Sequence, residues 1–547
     1  MREVDRLTTE KYGIPSILLM ENAAHAAARV ITEKLGGSVK GKSILILCGK
    51  GNNGGDGAAL GRMMQLSGAN VELVLFGKLE DSRGDARTNF IASREIVGDF
   101  QEIESAEAWR AWCDASSKTW DVTVDAIFGT GLNRPVTGWL GPVMRELLHE
   151  NSAARQFNQR LLISIDLPSG LIADNAHSAG EVFESEVTVT FTAPKPANVL
   201  PSSYSLGGEL IVADIGSPFE LIDIVDSRLF VATARDAELW LFRSDFTFDS
   251  YKNKRGHALI IAGSTNYVGA AVLCGNAAMR SGVGLVTIAT PQSSKDSVAS
   301  RVLPEVMVRG VAETENGAIS ESAFDELDEL LEKADSVAVG SGLAQDESTK
   351  IFVNKVVENR RQPTIVDADA LNLLSPFAVS RAHSVSRAHG SKGQITDVPS
   401  QRFPLILTPH EGEFMRLIGT TDKEAINDRV AAVRDFATKH NVILVLKGER
   451  VLIGGPDGKV VVNPTGNSGL GKAGNGDTLT GILAGFIAQA VQMDVDIFET
   501  VVAAVYVAGM AGDIAEKKYG KRVMTASDVR ECLAAAFHLL KNDAAIS

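Results

Sequence analysis

Residues 43–66 read SILILCGKGNNGGDGAALGRMMQL, and three kinds of local order follow one another in those two dozen positions. Ser43 to Cys48 form a short apolar run that predicts a strand. The glycine cluster GKGNNGGDG predicts a loop, and AALGRMMQLSGA has apolar residues at helical spacing. Strand, loop and helix make the repeating unit of an α/β protein. The unit recurs downstream: VELVLF from Val71, VTVDAIF from Val122, LLISIDL from Leu161 and VTVTFTA from Val187 are short apolar runs separated by helix-like segments. The arrangement predicts a parallel sheet with helices on both faces.

Residues 217–250 are rich in charge and interrupted by Pro218, and beyond them the strand and glycine pattern starts again at HALIIAGS from His257. A chain of 547 residues is too long for one ordinary core. Two α/β domains are therefore expected, over residues 1–225 and 235–547, the first a Rossmann-like three-layer sandwich. In the second half, SVAVGSGL, PTIVDADALNLL, LILTPHEGE, VILVLKG and VLIGG read as strands ending in loops that carry polar residues. Ligands of open α/β sheets bind at such strand ends. The stretch from Ser375 to Ser400, with its repeat VSRAHSVSRAHG, reads as an exposed insertion, and His383 and His389 as solvated rather than metal-binding.

Composition narrows the partners. Hydrophobic residues make up 45% and charged residues 22% of the chain, the balance of a globular protein. A net charge of -14 argues against nucleic acid and against anionic membranes. Cys48, Cys113, Cys274 and Cys532 are far apart with no CxxC pair, which argues against a zinc site or disulfide framework and fits a reducing cytoplasm. The first residues do not match a secretory signal. Later apolar stretches are interrupted by Gly, Gln or charge before the ~20 residues that a membrane span needs. A cytoplasmic protein with no membrane partner is the expectation.

Within the first glycine cluster, Gly49, Gly51 and Gly54 satisfy GxGxxG. A dinucleotide-binding dehydrogenase would also want an acid at the end of the next strand, yet Glu72 is near its start and none follows until Glu80. Asn52, Asn53 and Asp56 instead place amides and a carboxylate among glycines whose backbone can approach a polar ligand or a cation. A tight turn with satisfied Asx side chains is the structural alternative. VDAIFGTGLNRP, from Val124 to Pro135, and SIDLPSG, from Ser164 to Gly170, would meet this cluster at one sheet edge.

Together with GIPSILLMENAA from Gly13 and APKP from Ala193, these motifs resemble the N-terminal domain of NAD(P)H-hydrate epimerases over about residues 1–220. The resemblance implies that Asn52, Asn53, Gly54, Gly55 and Asp56, the loop Gly129, Thr130, Gly131, Leu132, Asn133, Arg134 and Pro135, and Asp166 bind the hydrated nucleotide. It implies that Asn53, Asp125 and Ser169 ligate a potassium ion, and it makes Asp166 the acid or base, with Lys195 beside it for charge or structure.

The second glycine cluster, GNSGLGKA at 466–473, has the GxxxxGK of a Walker loop, but Ala473 stands where Ser or Thr would touch magnesium. Onward, GNGDTLTGILAGF sets Gly474 and Gly476 before Asp477 at the start of an apolar helix. Unsatisfied N–H groups at such a helix start stabilise phosphate oxygens, and an aspartate beside them can take a hydroxyl proton. Asp477 as a simple helix cap is the competing structural role.

The pairing resembles the GxGD motif of ribokinase-like kinases. KNKRGHALIIAGSTNYVGAAVLCGNAAMRSGVGLVTIATP, VGSGL, VDADALNLL, LTPHEGE and the glycine cluster, in order, narrow this to ADP- or ATP-dependent NAD(P)H-hydrate dehydratases over residues 235–547. The resemblance implies a ribokinase-like second domain that phosphorylates the ring hydroxyl and eliminates phosphate, with Asp477 as base and Mg2+ accompanying the nucleotide. Ala270, Gly342, His410, Glu413 and Asp477 would contact the hydrate. Lys447, Gly448, Glu449, Arg450 and Val451, with Asn467, Ser468, Gly469, Leu470, Gly471, Lys472, Ala473, Gly474, Asn475 and Gly476, would hold ADP or ATP. A homo-oligomer is expected. The alternative is a ribokinase-like vitamin or sugar kinase fused to a non-catalytic nucleotide-binding domain.

Overall fold

The computed structural model describes residues 1–116, 119–156, 160–176, 178, 180–224, 227–378 and 403–543. Most of the 375–400 insertion, including His383 and His389, lies outside the described residues. The chain divides into two compact units, Met1–Ser227 and Arg228–Ser547.

The first unit carries seven strands: β1 (Ser43–Cys48), β2 (Asn70–Phe76), β3 (Asp99–Ile103), β4 (Val122–Ala126), β5 (Leu161–Ile165), β6 (Val187–Phe191) and β7 (Glu209–Ala213). They pair in the order β3-β2-β1-β4-β5-β6-β7, every pair parallel. β1 shows why both faces must be covered. Ile44 and Ile46 face one core with Ala58, Leu60 and Phe90, while Leu45 and Leu47 face a second core with Trp109, Val143 and Leu162. Alternation along a strand buried on both sides gives the three layers that the apolar runs predict. The chain leaves β1 toward β2 on one side and later returns to β4 on the other. The crevice of this switch point opens at the ends of β1 and β4.

The second unit carries β8 (Leu229–Val231), β9 (His257–Ile261), β10 (Leu285–Pro291), β11 (Met307–Val311), β12 (Ser336–Val339), β13 (Thr364–Val366), β14 (Leu405–Leu407), β15 (Ile443–Leu446), β16 (Val451–Gly454) and β17 (Val460–Asn463). Their order is β11-β10-β9-β12-β13-β14-β15-β16-β17-β8. β16 is antiparallel to both β15 and β17. VLIGG therefore starts, rather than ends, at the edge where the other strands finish. The physical reason is the short link 447–450, which allows a hairpin but not a parallel crossover. VVVN, which the apolar pattern did not single out, forms β17. β8, drawn from the charged stretch between the two halves, pairs parallel with it.

Two helices form the centre of the second core. Asn475–Met493 is buried at nearly every position from Thr478 to Ala490. Ile497–Tyr519 has 23 residues, a mean hydropathy of 1.6 and 61% of its apolar window buried, so by length and composition it passes as a membrane span. This departs from the expected interruption of apolar stretches. Its glycines and alanines do not break the helix; they let it pack against Asn475–Met493 on one side and Leu533–Asp543 on the other. A helix enclosed in that way is apolar all round.

Candidate active sites

In the first unit the glycine cluster is not a loop throughout. Gly51 is the N-cap of a helix spanning Asn52–Leu66, so Asn52 to Asp56 make its first turn. A Cβ on Gly54 would lie 1.7 Å from the Gly49 carbonyl oxygen, and one on Gly49 would lie 2.1 Å from that of Ile127. Only glycine permits this turn to close onto the end of β4.

A cleft of about 840 Å³ opens there, lined by Asn52, Asn53, Asp56, Gly129, Thr130, Gly131, Leu132 and Asp166 together with Asp5, Thr192 and Lys195. Gly54 and Gly55 are buried beneath it; a Cβ on Gly55 would press on Ala86 and Met20. Asn133, Arg134 and Pro135 are exposed and do not line the cleft. Those five positions, expected at the ligand, lie beneath or beside the cleft rather than on its wall.

Asp166 follows β5 with φ at 67°, a left-handed conformation uncommon for a residue with a side chain. Its Oδ2 accepts a hydrogen bond from the Thr130 N–H at 3.1 Å. Its Oδ1 lies 2.6 Å from Lys195 Nζ. Lys195 also donates to Thr190 Oγ1 at 2.8 Å and to the Phe191 carbonyl at 3.1 Å. Burial, then the neighbouring Asp166 and Asp5 carboxylates, push Asp56 well above the ordinary carboxylate range, and burial raises Asp5 as well. Like charges crowded out of water favour retention of a proton. The cleft thus sets a carboxylate whose pKa is raised by burial beside one paired with a lysine, an arrangement suited to acid–base chemistry.

Asp125, at the end of β4, is fully buried. It accepts hydrogen bonds from Ser164 Oγ at 2.9 Å, from the Ser169 N–H at 2.7 Å, from the Ile127 N–H at 3.2 Å and from the Ser169 hydroxyl. Burial pushes its pKa up to about 6 in spite of those four bonds. Ser169 Oγ accepts in turn from the Phe128 N–H at 2.8 Å. Asn53 abuts the same turn, its Cγ 3.2 Å from where a Cβ on Gly129 would sit, and both polar atoms of its amide are buried without a hydrogen-bond partner. Such an orphan in a native interior calls for a further ligand. Among the described residues, no three His, Cys, Asp or Glu side chains form a metal cluster.

In the second unit, Gly474 is the N-cap of the Asn475–Met493 helix, at φ 91° and with no side-chain cap. Asp477 therefore stands inside the first turn and does not act as the cap. Burial, then the nearby Asp367 charge, raise it to about 6. Asp367, 1% exposed, accepts from Lys447 Nζ at 2.7 Å, Thr408 Oγ1 at 2.7 Å and Thr480 Oγ1 at 2.9 Å. Burial alone would raise it, but the Lys447 charge and these bonds hold it below the usual value.

Ala270 and Gly342 meet at the ends of β9 and β12, where a Cβ on Gly342 would lie 2.9 Å from that of Ala270. Ser341 stands beside Asp477. His410 caps the Glu411–Ile418 helix: its Nδ1 accepts from the Gly412 N–H at 3.0 Å and the Glu413 N–H at 3.4 Å, while Glu413 Oε2 accepts from the His410 N–H at 2.8 Å. The cap leaves the neutral ring with its proton on Nε2. Glu413 Oε2 lies 4.0 Å from Lys447 Nζ, so His410 joins the Asp367–Lys447 group through its own cap.

The expected nucleotide strap has mixed placements. Lys447 points inward to Asp367, Glu449 is exposed, and Arg450 donates to the Pro464 carbonyl. A Cβ on Gly448 would lie 2.6 Å from Arg429 Nη2. In the glycine cluster, Asn467 Nδ2 donates to Asp513 Oδ1 at 3.0 Å and its Oδ1 accepts from the Gly469 N–H at 2.9 Å. Lys472 Nζ donates to the carbonyls of Arg522 at 2.6 Å and Met524 at 2.9 Å. Asn475 Nδ2 donates to the Leu470 carbonyl at 3.0 Å, and its Oδ1 is buried without a partner. Lys472 and Arg450 thus brace the loop, and the backbone is what it can offer a phosphate.

Asp5, Asp367, Arg429 and Asp513 were not singled out from sequence. Asp367 had a signal, being the first polar residue after the apolar run TIV. Asp5 lies in REVDRLTTEKY, which reads as an ordinary solvated helix, and Arg429 and Asp513 are single charges inside helices.

Comparison with known proteins matches both halves of the chain. A family model described as NAD(P)H-hydrate dehydratase matches residues 258–534, and one described as YjeF-related protein N-terminus matches residues 16–197. The bifunctional NAD(P)H-hydrate repair enzyme Nnr of Moorella thermoacetica is 37% identical over 97% of this chain and 94% of its own length. The enzyme of the same name from Escherichia coli is 29% identical over 97% of this chain and 91% of its own. Among solved structures, an ADP/ATP-dependent NAD(P)H-hydrate dehydratase from Bacillus subtilis, co-crystallised with ATP/Mg2+, is 29% identical; the match covers 57% of this chain and 98% of that one at a TM-score of 0.47. With full-length relatives at this identity and both halves matched in order, the chain belongs to the family of bifunctional NAD(P)H-hydrate repair enzymes.

Proposed function

We propose that the first unit interconverts the R and S forms of NAD(P)H-hydrate in the Asp166 cleft, and that the second unit dehydrates the S form at the Asp477 site. ADP or ATP, with Mg2+ on its phosphates, is the activating co-substrate. Asp477 takes the proton of the ring hydroxyl as that oxygen attacks the terminal phosphorus and displaces AMP from ADP, or ADP from ATP; the C–O bond of the phosphorylated ring then breaks with departure of phosphate, the adjacent ring carbon gives up a proton, and the C=C bond that forms restores NAD(P)H. Phosphorylation matters because hydroxide is a poor leaving group and phosphate a good one. The observation that carries this reading is a single carboxylate raised to about 6, held in the first turn of a glycine-capped helix whose N–H groups can receive the transferred charge.

In the cleft, the Lys195-paired Asp166 and Asp56, whose pKa is raised by burial, serve as base and acid for proton movement or reversible C–O cleavage at the hydrated carbon. A potassium ion fits the residues beneath them: the orphaned Asn53 Oδ1, the fully buried Asp125 carboxylate and the Ser169 hydroxyl are hard oxygen donors. When bound, such an ion supplies positive charge to the phosphate or ring hydroxyl above it. Four free cysteines, three of them buried, suit a reducing compartment such as the cytoplasm.

The test is recovery of NADH and NADPH absorbance from a mixed R,S hydrate with ADP and ATP in parallel. Complete consumption of both epimers supports the two-site reading. Consumption of neither epimer with either nucleotide refutes it, and formation of a stable phosphorylated vitamin or sugar favours a kinase instead.

A further inference from the structure

Asp367 is absent from every role assigned above, yet it ties together four elements of the second unit. Its N–H donates to the Val339 carbonyl at the end of β12 at 3.1 Å. Its Oδ1 receives Thr408 from the end of β14 and Lys447 from the end of β15, and its Oδ2 receives Thr480, one turn beyond the Gly474 cap. The Lys447 ammonium lies 3.5 Å from where a Cβ on Gly476 would be, directly under the glycine turn. Helix starts are the part of a helix least held by its own hydrogen bonds. Here the start that presents Asp477 is pinned from below by a carboxylate only 1% exposed.

We infer that Asp367 is a positioning residue for the dehydration step: through Thr480 and Lys447 it fixes the first turn of the Asn475–Met493 helix against the strand ends, and so sets where the Asp477 carboxylate stands. The inference rests on Asp477 being the base. Asp367 touches neither the hydrate nor the nucleotide in this scheme and acts through its partners. Two consequences separate position from charge. The Thr480 bond carries position alone, since both ions survive its loss. The Asp367 charge acts on Asp477 as well, alongside the Ser341 hydrogen bond, Lys447 after β15 and Asp369 from the next helix; the Cys274 thiol of the Val268–Arg280 helix, raised by burial and then by Asp477, faces the same group.

The experiment measures kcat, KM and the acid limb of the pH profile in the full chain, with melting temperature alongside. Thr480→Val is expected to lower kcat by about tenfold, with KM for the nucleotide, the acid limb and the melting temperature near wild type. Thr480→Ser is expected to restore the rate. Asp367→Asn is expected to lower kcat by about a hundredfold, the scale of a 1 Å misplacement of a catalytic group, and to move the acid limb to lower pH. Should Asp367→Asn fail to fold, the Thr480 pair decides the question. Wild-type kcat in Thr480→Val, a loss that Thr480→Ser does not restore, or an unmoved acid limb in folded Asp367→Asn would overturn the inference. Asp477→Asn in the same assay tells this apart from failure of the base assignment: full activity there removes the base itself, whereas an inactive Asp477→Asn beside an unaffected Thr480→Val removes only the role of Asp367.

Discussion

Lys195 Nζ lies 2.6 Å from Asp166 Oδ1, with the lysine side chain 5% and the aspartate side chain 12% exposed. A pair this secluded is both chemistry and architecture. Asp166→Asn is expected to slow epimer interconversion by about 10²–10⁴-fold, the range for removing a positioned acid or base. It should also destabilise the first unit by about 3–5 kcal/mol, because Lys195 is left buried and charged without its partner. Asp166→Asn with Lys195→Met should recover most of the melting temperature and none of the activity. Chromatographic separation of the epimers over time is the readout, and undiminished interconversion in the single variant would remove Asp166 from the mechanism.

The dehydratase reaction should titrate on Asp477. A base works only without its proton, so with the carboxyl raised to about 6 kcat should fall about tenfold per pH unit below that point. The sign for stability is opposite to that for activity. The folded state binds the Asp477 proton more tightly than the unfolded chain does, so this group favours folding fully below about pH 4 and loses that contribution as the pH rises through about 6. Asp477→Asn should therefore melt higher than wild type at pH 8, by up to about 3 kcal/mol of stability, and no higher at pH 4. Equal melting behaviour at both pH values would contradict the raised pKa.

Sequence period and glycine punctuation carried most of the fold. SILILC, ended by a glycine cluster, reads as a strand, and GNGD reads as a glycine-rich helix entry with Asp477 either inside its first turn or as its cap. The direction of β16 was less accessible, since an apolar run has no arrow; only the shortness of the 447–450 link distinguishes hairpin from crossover. Within the sites, residues close to their glycine clusters in sequence were legible. Those supplied from afar were not: Asp5 reaches the cleft from the first helix and Asp367 reaches Asp477 across 110 positions, and no local pattern marks a charge that burial will later make special. Lys472 shows the converse. Its place in a GK pair suggested phosphate, whereas the fold turns it onto the carbonyls of Arg522 and Met524.

The potassium assignment predicts a stability effect separate from turnover. Raising KCl at constant ionic strength against tetramethylammonium chloride should raise the melting temperature of the first unit by the mass action of a ligand that binds only the folded state. Asn53→Ala should abolish that dependence. It should not lower stability in the potassium-free buffer, because the amide it removes has both polar atoms buried and unpartnered there. A melting temperature indifferent to potassium in the wild type would argue that Asp125 and Ser169 are a hydrogen-bonded knot, with Asn53 merely packed beside it, and nothing more.

The second unit begins at Arg228, immediately before β8. Leu229, Phe230 and Val231 pair in parallel register with Val460, Val461 and Val462, closing the edge of the ten-stranded sheet, and the next residue, Ala232, is 2% exposed. A fragment of residues 228–547 keeps that strand; one of residues 235–547 leaves β17 as a bare edge of valines with unpaired N–H and C=O groups. Bare, flat, apolar edges template aggregation. The longer fragment should therefore stay monodisperse and retain dehydratase activity. The shorter should melt at lower temperature and aggregate on concentration. Light scattering and thermal unfolding of the two proteins decide it, and equal behaviour of the two fragments would show that β8 is dispensable.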